Sequence, residues 1–146
     1  MSLEAALKKV AEEKDFAALL AEIPYFQFLG VEVAAPGIFK MRFGEHLIGN
    51  PTIPALHGGT LGALLESVAL LESIASTPMA ALPKTITLTI DYLRSAKAQD
   101  TWARAKVVKA GRRVTTLHAF AWQESEETPI AMATVHLRVT PAEKKP

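Results

Sequence analysis

The chain has no cysteine among its 146 residues, which excludes disulfides, a thiolate nucleophile and every zinc site built on sulfur. Histidine is nearly as scarce. The four present show no paired spacing, so no metal site is expected. Charge imbalance is missing too: 16 Lys and Arg against 15 Asp and Glu leave a formal net charge of +1. No strong field therefore draws the whole molecule to nucleic acid or an anionic membrane, and any anion recognition must be local. The stretch from Met1 to Glu22 alternates charged with apolar residues and lacks the continuous apolar core of a signal peptide. The longest apolar runs are too short and too interrupted to span a bilayer. These absences predict a cytoplasmic protein with neither nucleic acid nor membrane as a partner. No internal repeat or linker interrupts the chain, so residues 1–146 are expected to form a single domain large enough to bury a real core.

What is present is organised around one stretch. His57-Gly58-Gly59-Thr60 leads into Leu61-Gly62-Ala63-Leu64-Leu65-Glu66-Ser67-Val68-Ala69-Leu70-Leu71, a helix that is apolar on nearly every side. A helix with no polar face cannot lie on a surface, so other elements must wrap it. Glu66 is its only ionisable side chain before Glu72, and a carboxylate on such a helix is costly unless paired, hydrated or used. Gly58 and Gly59 open two backbone N–H groups at the positive end of the helix dipole, with no side chain to block a ligand oxygen. Gly59, Gly62 and Glu66 share one helix face, which small residues are expected to open to a ligand.

The flanking segments supply the wrapping. Ser2 can cap a helix with Leu3, Leu7 and Val10 on one face, and the apolar stripe continues to Pro24, giving an N-terminal helical extension over 1–24. Tyr25, Phe26, Phe28 and Leu29 form an aromatic cluster ending at Gly30. Strands are expected over 31–34 and 38–43 about the turn Pro36-Gly37, followed by a loop from His46 to Leu56 in which Asn50 is a polar candidate. Thr85 to Leu93 alternates Thr85, Thr87, Thr89 and Asp91 against Ile86, Leu88, Ile90 and Tyr92. Strands over 100–109, 114–123 and 130–139 follow in hairpin order, with His118 and His136 as strand-face residues, and 140–146 is a charged tail expected to fray. Antiparallel strands around one helix make an α+β fold.

These residues resemble the hotdog-fold acyl-CoA thioesterases, specifically the branch of phenylacetate-pathway thioesterases and 4-hydroxybenzoyl-CoA thioesterase. The likeness covers Tyr25 to Val139. It rests on the loop from Asn50 to Leu56 running into His57-Gly58-Gly59, and on the carboxylate nine residues after that His. Its other parts are the strand Thr87-Leu88-Thr89-Ile90-Asp91-Tyr92-Leu93-Arg94 and the hairpin Lys109-Ala110-Gly111-Arg112-Arg113. The resemblance implies an antiparallel sheet of about six strands around one central helix, with the N-terminal helix as an addition. It also implies hydrolysis of acyl-CoA to acid and CoA. Gly58, with Gly59 assisting, would polarise the thioester carbonyl, and Glu66 would act as nucleophile or as base for water. His57 stands at the motif's start, Asn50 and Thr85 match residues near the thioester, and Arg112 and Arg113 match a turn that meets CoA phosphates. The chain departs by having Glu66 where many phenylacetate-type relatives have Asp, and Ser95 where they often have Pro. Six residues also separate Asn50 from His57, about one more than the family pattern.

No cofactor is implied, since an oxyanion site and a carboxylate suffice for the reaction. A hydroxyacyl-CoA dehydratase on the same fold would need a His about fourteen residues before the carboxylate, where Thr52 stands. A non-catalytic acyl-CoA sensor would keep the basic turn but has no need of Glu66. The resemblance further implies a homo-oligomer, a dimer or a tetramer of two dimers, with an acyl pocket across a subunit interface walled by Phe26, Phe28, Leu64, Val68 and Tyr92. Glu66 lies roughly 12 Å along the helix from Gly58, too far for both to act on one carbonyl. Each site is therefore expected to draw Gly58 from one subunit and Glu66 from the other.

Overall fold

Local capping explains how the chain enters the fold in the computed structural model, which describes residues 1–143. Ser2 Oγ accepts the Ala5 N–H at 3.1 Å and starts α1 (Leu3–Glu13), which buries Ala6, Leu7 and Val10. Lys14 ends it in the left-handed region, at φ 55°. Asp15 Oδ1 accepts the Ala17 N–H at 3.0 Å ahead of α2 (Ala17–Glu22). Pro24 then occupies the first turn of α3 (Pro24–Leu29), where its missing N–H costs nothing, and Gly30 closes that helix at φ 70°. The helical extension thus runs on to Leu29 rather than ending at Pro24, because Ile23 takes the extended conformation that a following proline favours.

The aromatic cluster divides accordingly. Phe26 and Leu29 enter the core, whereas Tyr25 and Phe28 stack outside it with ring centroids 5.7 Å apart.

Strands β1 (Val31–Ala35) and β2 (Ile38–Met41) form a hairpin about Gly37, with a break in register between Val33 and Ala35. The segment expected as a loop contains a 3-10 turn (Glu45–Leu47) and a small ribbon of β3 (Ile48–Asn50) and β4 (Ala55–Leu56). Then come the long helix α4 (Gly58–Ser76) and strands β5 (Lys84–Tyr92), β6 (Thr101–Ala110), β7 (Val114–Trp122) and β8 (Ala131–Arg138). The main sheet is six-stranded and antiparallel, in the order β1-β2-β6-β7-β8-β5.

The inward residues Phe39, Met41, Ala103, Leu117, Ala119, Ala133, Val135 and Leu137 are fully buried in one cluster with Leu64, Leu65, Val68, Leu71 and Ile74 of α4. Helix α1 packs on α4 as well. Cover from both sides accounts for a helix without a polar face. Helix α4 is the one helix among the described residues long and apolar enough to cross a membrane, and that apolar surface is mostly buried by the chain itself.

The chain does not fray from Thr140. Thr140 O accepts the Ala80 N–H at 2.8 Å and the Ala142 N–H reaches Pro78 O at 2.9 Å. Residues 144–146 of the expected tail lie outside the described residues.

Candidate active site

The start of α4 is fastened from three directions. Leu47 O accepts the His57 N–H at 2.8 Å, and Ala96 O accepts the Leu56 N–H at 3.0 Å. Gly49 lies so close behind that an added Cβ would sit 2.7 Å from His57 Cα, so only glycine allows this approach. His57 is the N-cap residue: its Nδ1 accepts the Gly59 N–H at 2.8 Å, while its carbonyl receives the Thr60 N–H at 3.0 Å and Thr60 Oγ1 at 2.6 Å. An Nδ1 that accepts leaves the ring proton on Nε2.

Tyr92 completes the fastening. Its hydroxyl donates to Gly58 O at 2.8 Å, and its ring lies so near that a Cβ on Gly58 would meet Cε1, Cζ and Oη at 3.3 Å. Of the first three N–H groups of α4, those of Gly59 and Thr60 are engaged. The Gly58 N–H alone has no partner among the described residues. A cleft of about 410 Å³ opens there, lined by Gly58, Leu61, Tyr92, Arg94 and Ser95.

Glu66 is half-buried further along α4, and its carboxylate has neither a hydrogen bond nor an ion pair among the described residues. The face it shares with Gly59 and Gly62 is less open than expected. An added Cβ on Gly62 would meet Ile90 Cδ1 at 2.6 Å, so that glycine admits the neighbouring strand rather than a ligand. Ile90 on Gly62 and Tyr92 on Gly58 also show that β5 runs antiparallel to α4, with its Thr85 end toward the helix C-terminus.

The structure separates the remaining candidates. Asn50 Oδ1 accepts the Thr52 and Ile53 N–H groups at 3.0 and 3.3 Å, which builds the turn between β3 and β4. Its side-chain NH2 has no partner among the described residues. Thr85 was expected on the face of Thr87 and Thr89, but a register shift between Thr85 and Thr87 sets it opposite the buried Leu137, while Thr87 lies opposite His136. The extra residue, Ile86, reverses the alternation, so Thr85 turns to the helix side with Leu88, Ile90 and Tyr92.

Arg112 and Arg113 are exposed on the β6–β7 turn without carboxylate partners among the described residues, and Val114 beside them pairs with Arg138, which also faces Lys84. His136 Nδ1 lies 2.9 Å from Thr116 Oγ1, and His118 sits opposite Lys106 and Thr134, so both are strand-face residues. The expected acyl-pocket wall is corrected in part: Leu64 and Val68 are wholly buried core residues and Phe26 is 5% exposed, leaving Phe28 and Tyr92 at the surface. Among the described residues no group of three or more His, Asp or Glu is arranged to hold a metal.

Two features were missed by reading the sequence. One is the Tyr92 hydroxyl on Gly58, which joins residues far apart in the chain, so no local pattern carries it. The other is Glu72, half-buried beside a cleft of about 780 Å³ between the β1–β2 hairpin and the last turns of α4. Burial pushes its carboxyl above the usual range, partly offset by the hydrogen bond from Ser76 at 3.2 Å and by the Lys14 charge. That cleft is the larger one, but its wall is mostly apolar and it contains no unpaired backbone donor at a helix start. Size therefore does not choose the site; the chemistry at Gly58 does.

A family described as "Acyl-CoA thioesterase N-terminal domain" matches residues 49–138, more than half of the chain. No curated protein is similar enough in sequence to be matched. Among solved structures, a Chromobacterium violaceum protein is 28% identical with a TM-score of 0.72, covering 94% of this chain and 98% of its own. A thioesterase family protein from Silicibacter pomeroyi is 22% identical with a TM-score of 0.75, covering 93% and 99%. A Streptococcus mutans protein solved bound to acetyl CoA is 21% identical with a TM-score of 0.64, covering 78% and 90%.

Proposed function

Because the chain belongs to the acyl-CoA thioesterase N-terminal domain family, whose hotdog architecture it shares, we propose that it hydrolyses acyl-CoA thioesters to the free acid and CoA. The observation that carries this reading is the unpaired Gly58 N–H in an open cleft, with every neighbouring peptide group held by a hydrogen bond. The thioester carbonyl carbon is attacked either by water whose proton Glu66 takes, or by Glu66 itself, in which case water opens the resulting anhydride in a second step. The carbonyl oxygen becomes an oxyanion that accepts from the Gly58 N–H, and collapse breaks the C–S bond and releases the CoA thiolate. The His57 cap already holds the Gly59 N–H, so Gly58 is the principal donor.

The site is shared between two protomers in this reading. Within one chain Glu66 lies roughly 12 Å along α4 from Gly58. Thr85 and the Arg112-Arg113 turn lie toward the opposite end of β5, roughly 25 Å of extended strand from Tyr92. Edge strand β5 is exposed along most of its length, and antiparallel pairing of two copies would carry these residues toward the Gly58 of the other protomer. Arg112 and Arg113 then serve the CoA phosphates.

Thiol release from short, long and aromatic acyl-CoAs tests the activity directly. Steady turnover of at least one ester is expected, with KM rising sharply and kcat little changed when Arg112 and Arg113 are both replaced by Ala. Tight acyl-CoA binding without any thiol release would instead identify a sensor.

A further inference from the structure

We propose that Tyr92 is a positioning residue, whose hydroxyl fixes the Gly58–Gly59 peptide and thereby aims the Gly58 N–H at the developing oxyanion; this rests on the hydrolase reading above. Two successive glycines at a helix start have more backbone freedom than any other pair, and the first turn is where a helix frays. A donor that stabilises an oxyanion must nevertheless be in place before the charge forms. Something must therefore hold the glycines, and the structure contains the holders.

The Gly58–Gly59 peptide is gripped at both ends: its carbonyl by Tyr92 Oη at 2.8 Å, its N–H by His57 Nδ1 at 2.8 Å. The preceding His57–Gly58 peptide has its carbonyl held twice by Thr60, which leaves its N–H as the free group. The grip of Tyr92 differs in kind from that of His57 and Thr60. Those two belong to the helix start itself, whereas Tyr92 comes from the end of β5 and ties the donor to the sheet. Its ring in van der Waals range of Gly58 adds a steric stop to the hydrogen bond. At 54% exposed within its own protomer, Tyr92 is not a core residue of the chain that bears it. A role in holding Gly58 accounts for both its hydroxyl and its placement.

Tyr92→Phe keeps the ring and removes only the bond. We expect kcat to fall about 5- to 10-fold with KM unchanged, the pattern of a contact that acts only as charge develops. The melting temperature should stay within a degree or two. Independently of turnover, the Gly59 amide should exchange several-fold faster in Tyr92→Phe by NMR, because its peptide has lost the one anchor that comes from outside α4. Tyr92→Leu should lower kcat further, since it removes the steric stop as well. Unchanged Gly59 exchange overturns the proposal whatever the kinetics show. Faster exchange with wild-type kcat also overturns it, leaving the hydrolase reading intact. A wild-type protein that releases no thiol from any acyl-CoA sinks both together.

Discussion

The two ends of α4 are built on opposite plans. At the N-terminus the backbone is fastened by His57, Thr60 and Tyr92, yet one donor, the Gly58 N–H, is left without a partner facing a cleft. At the C-terminus the contacts come to carbonyls instead: Lys14 Nζ reaches across from the end of α1 to donate to Ala75 O, and Ser73 O accepts the Thr77 N–H at 3.3 Å. Both ends obey the same capping rules, and the Lys14 charge brought to the last turn from α1 also complements the helix dipole. What separates them is the group at stake and where it lies: a donor beside an open cleft at one end, acceptors tied down by a lysine from α1 at the other. An end tied to another helix stabilises the fold, whereas a rigid end with a free N–H is ready to bind an anion.

The contrast can be tested by altering each end and asking whether catalysis or stability responds. The largest effect is expected at Glu66, beyond the N-terminal turn: Glu66→Gln should lower kcat by three orders of magnitude or more without altering the melting temperature much, as read by thiol release and calorimetry. Mixing Glu66→Gln protomers with protomers inactivated at Gly58 should restore activity, to at most one working site in two. Confirmed subunit exchange without recovery contradicts the shared site.

Gly58→Ala comes next, because its Cβ would press on the Tyr92 ring at 3.3 Å and displace the donor. A loss of about 10- to 100-fold in kcat is expected, with binding of CoA itself retained. At the other end, Lys14→Met should leave kcat of the folded protein unchanged while lowering stability by about 1 kcal/mol, roughly 3–5 °C in Tm.

Smallest is Glu72→Gln. Burial raises the Glu72 carboxyl in the folded protein, so its stabilising contribution is complete below the ordinary carboxylate range and is lost as pH rises through the raised value. Removing the titration should leave Tm unchanged at acidic pH and raise it by about a degree at neutral pH. Equal curves for the two proteins from acidic to neutral pH would remove Glu72 from the account.

Much of the fold was legible because its signals were local. The all-round apolar α4 demanded a wrap, and the strands expected over 100–109, 114–123 and 130–139 form as β6, β7 and β8 within a residue or two of those bounds. Misreadings arose where one residue changed the meaning of its neighbours. Pro24 stops one helix and starts the next, so the same residue served either reading. Ile86 is one residue too many for its pairing, and the phase of everything before it in β5 reversed, Thr85 included. The ribbon of β3 and β4 is too short to show a period at all.

The candidate site was legible in its residue types but not in its bonds. The glycines after His57 pointed to an anion-binding helix start, but only coordinates show that His57 occupies the Gly59 N–H and leaves that of Gly58 free. Gly62 was read as an opening for a ligand, and is instead the seat of Ile90.

The register break in β1 also bears on how the chain avoids fibres. A six-stranded sheet has two edges, and each is a template on which further strands could grow. The β1 edge is only five residues long and irregular at Ala34, and its Glu32 carries Lys40 at 2.9 Å and Arg42 at 3.5 Å. Short, kinked and charged, it offers an incoming strand little straight backbone to pair with. Strand β5, nine residues long, is the edge left open. With one edge blunted, strand addition can proceed only through β5, so two copies that meet there leave nothing for a third to extend.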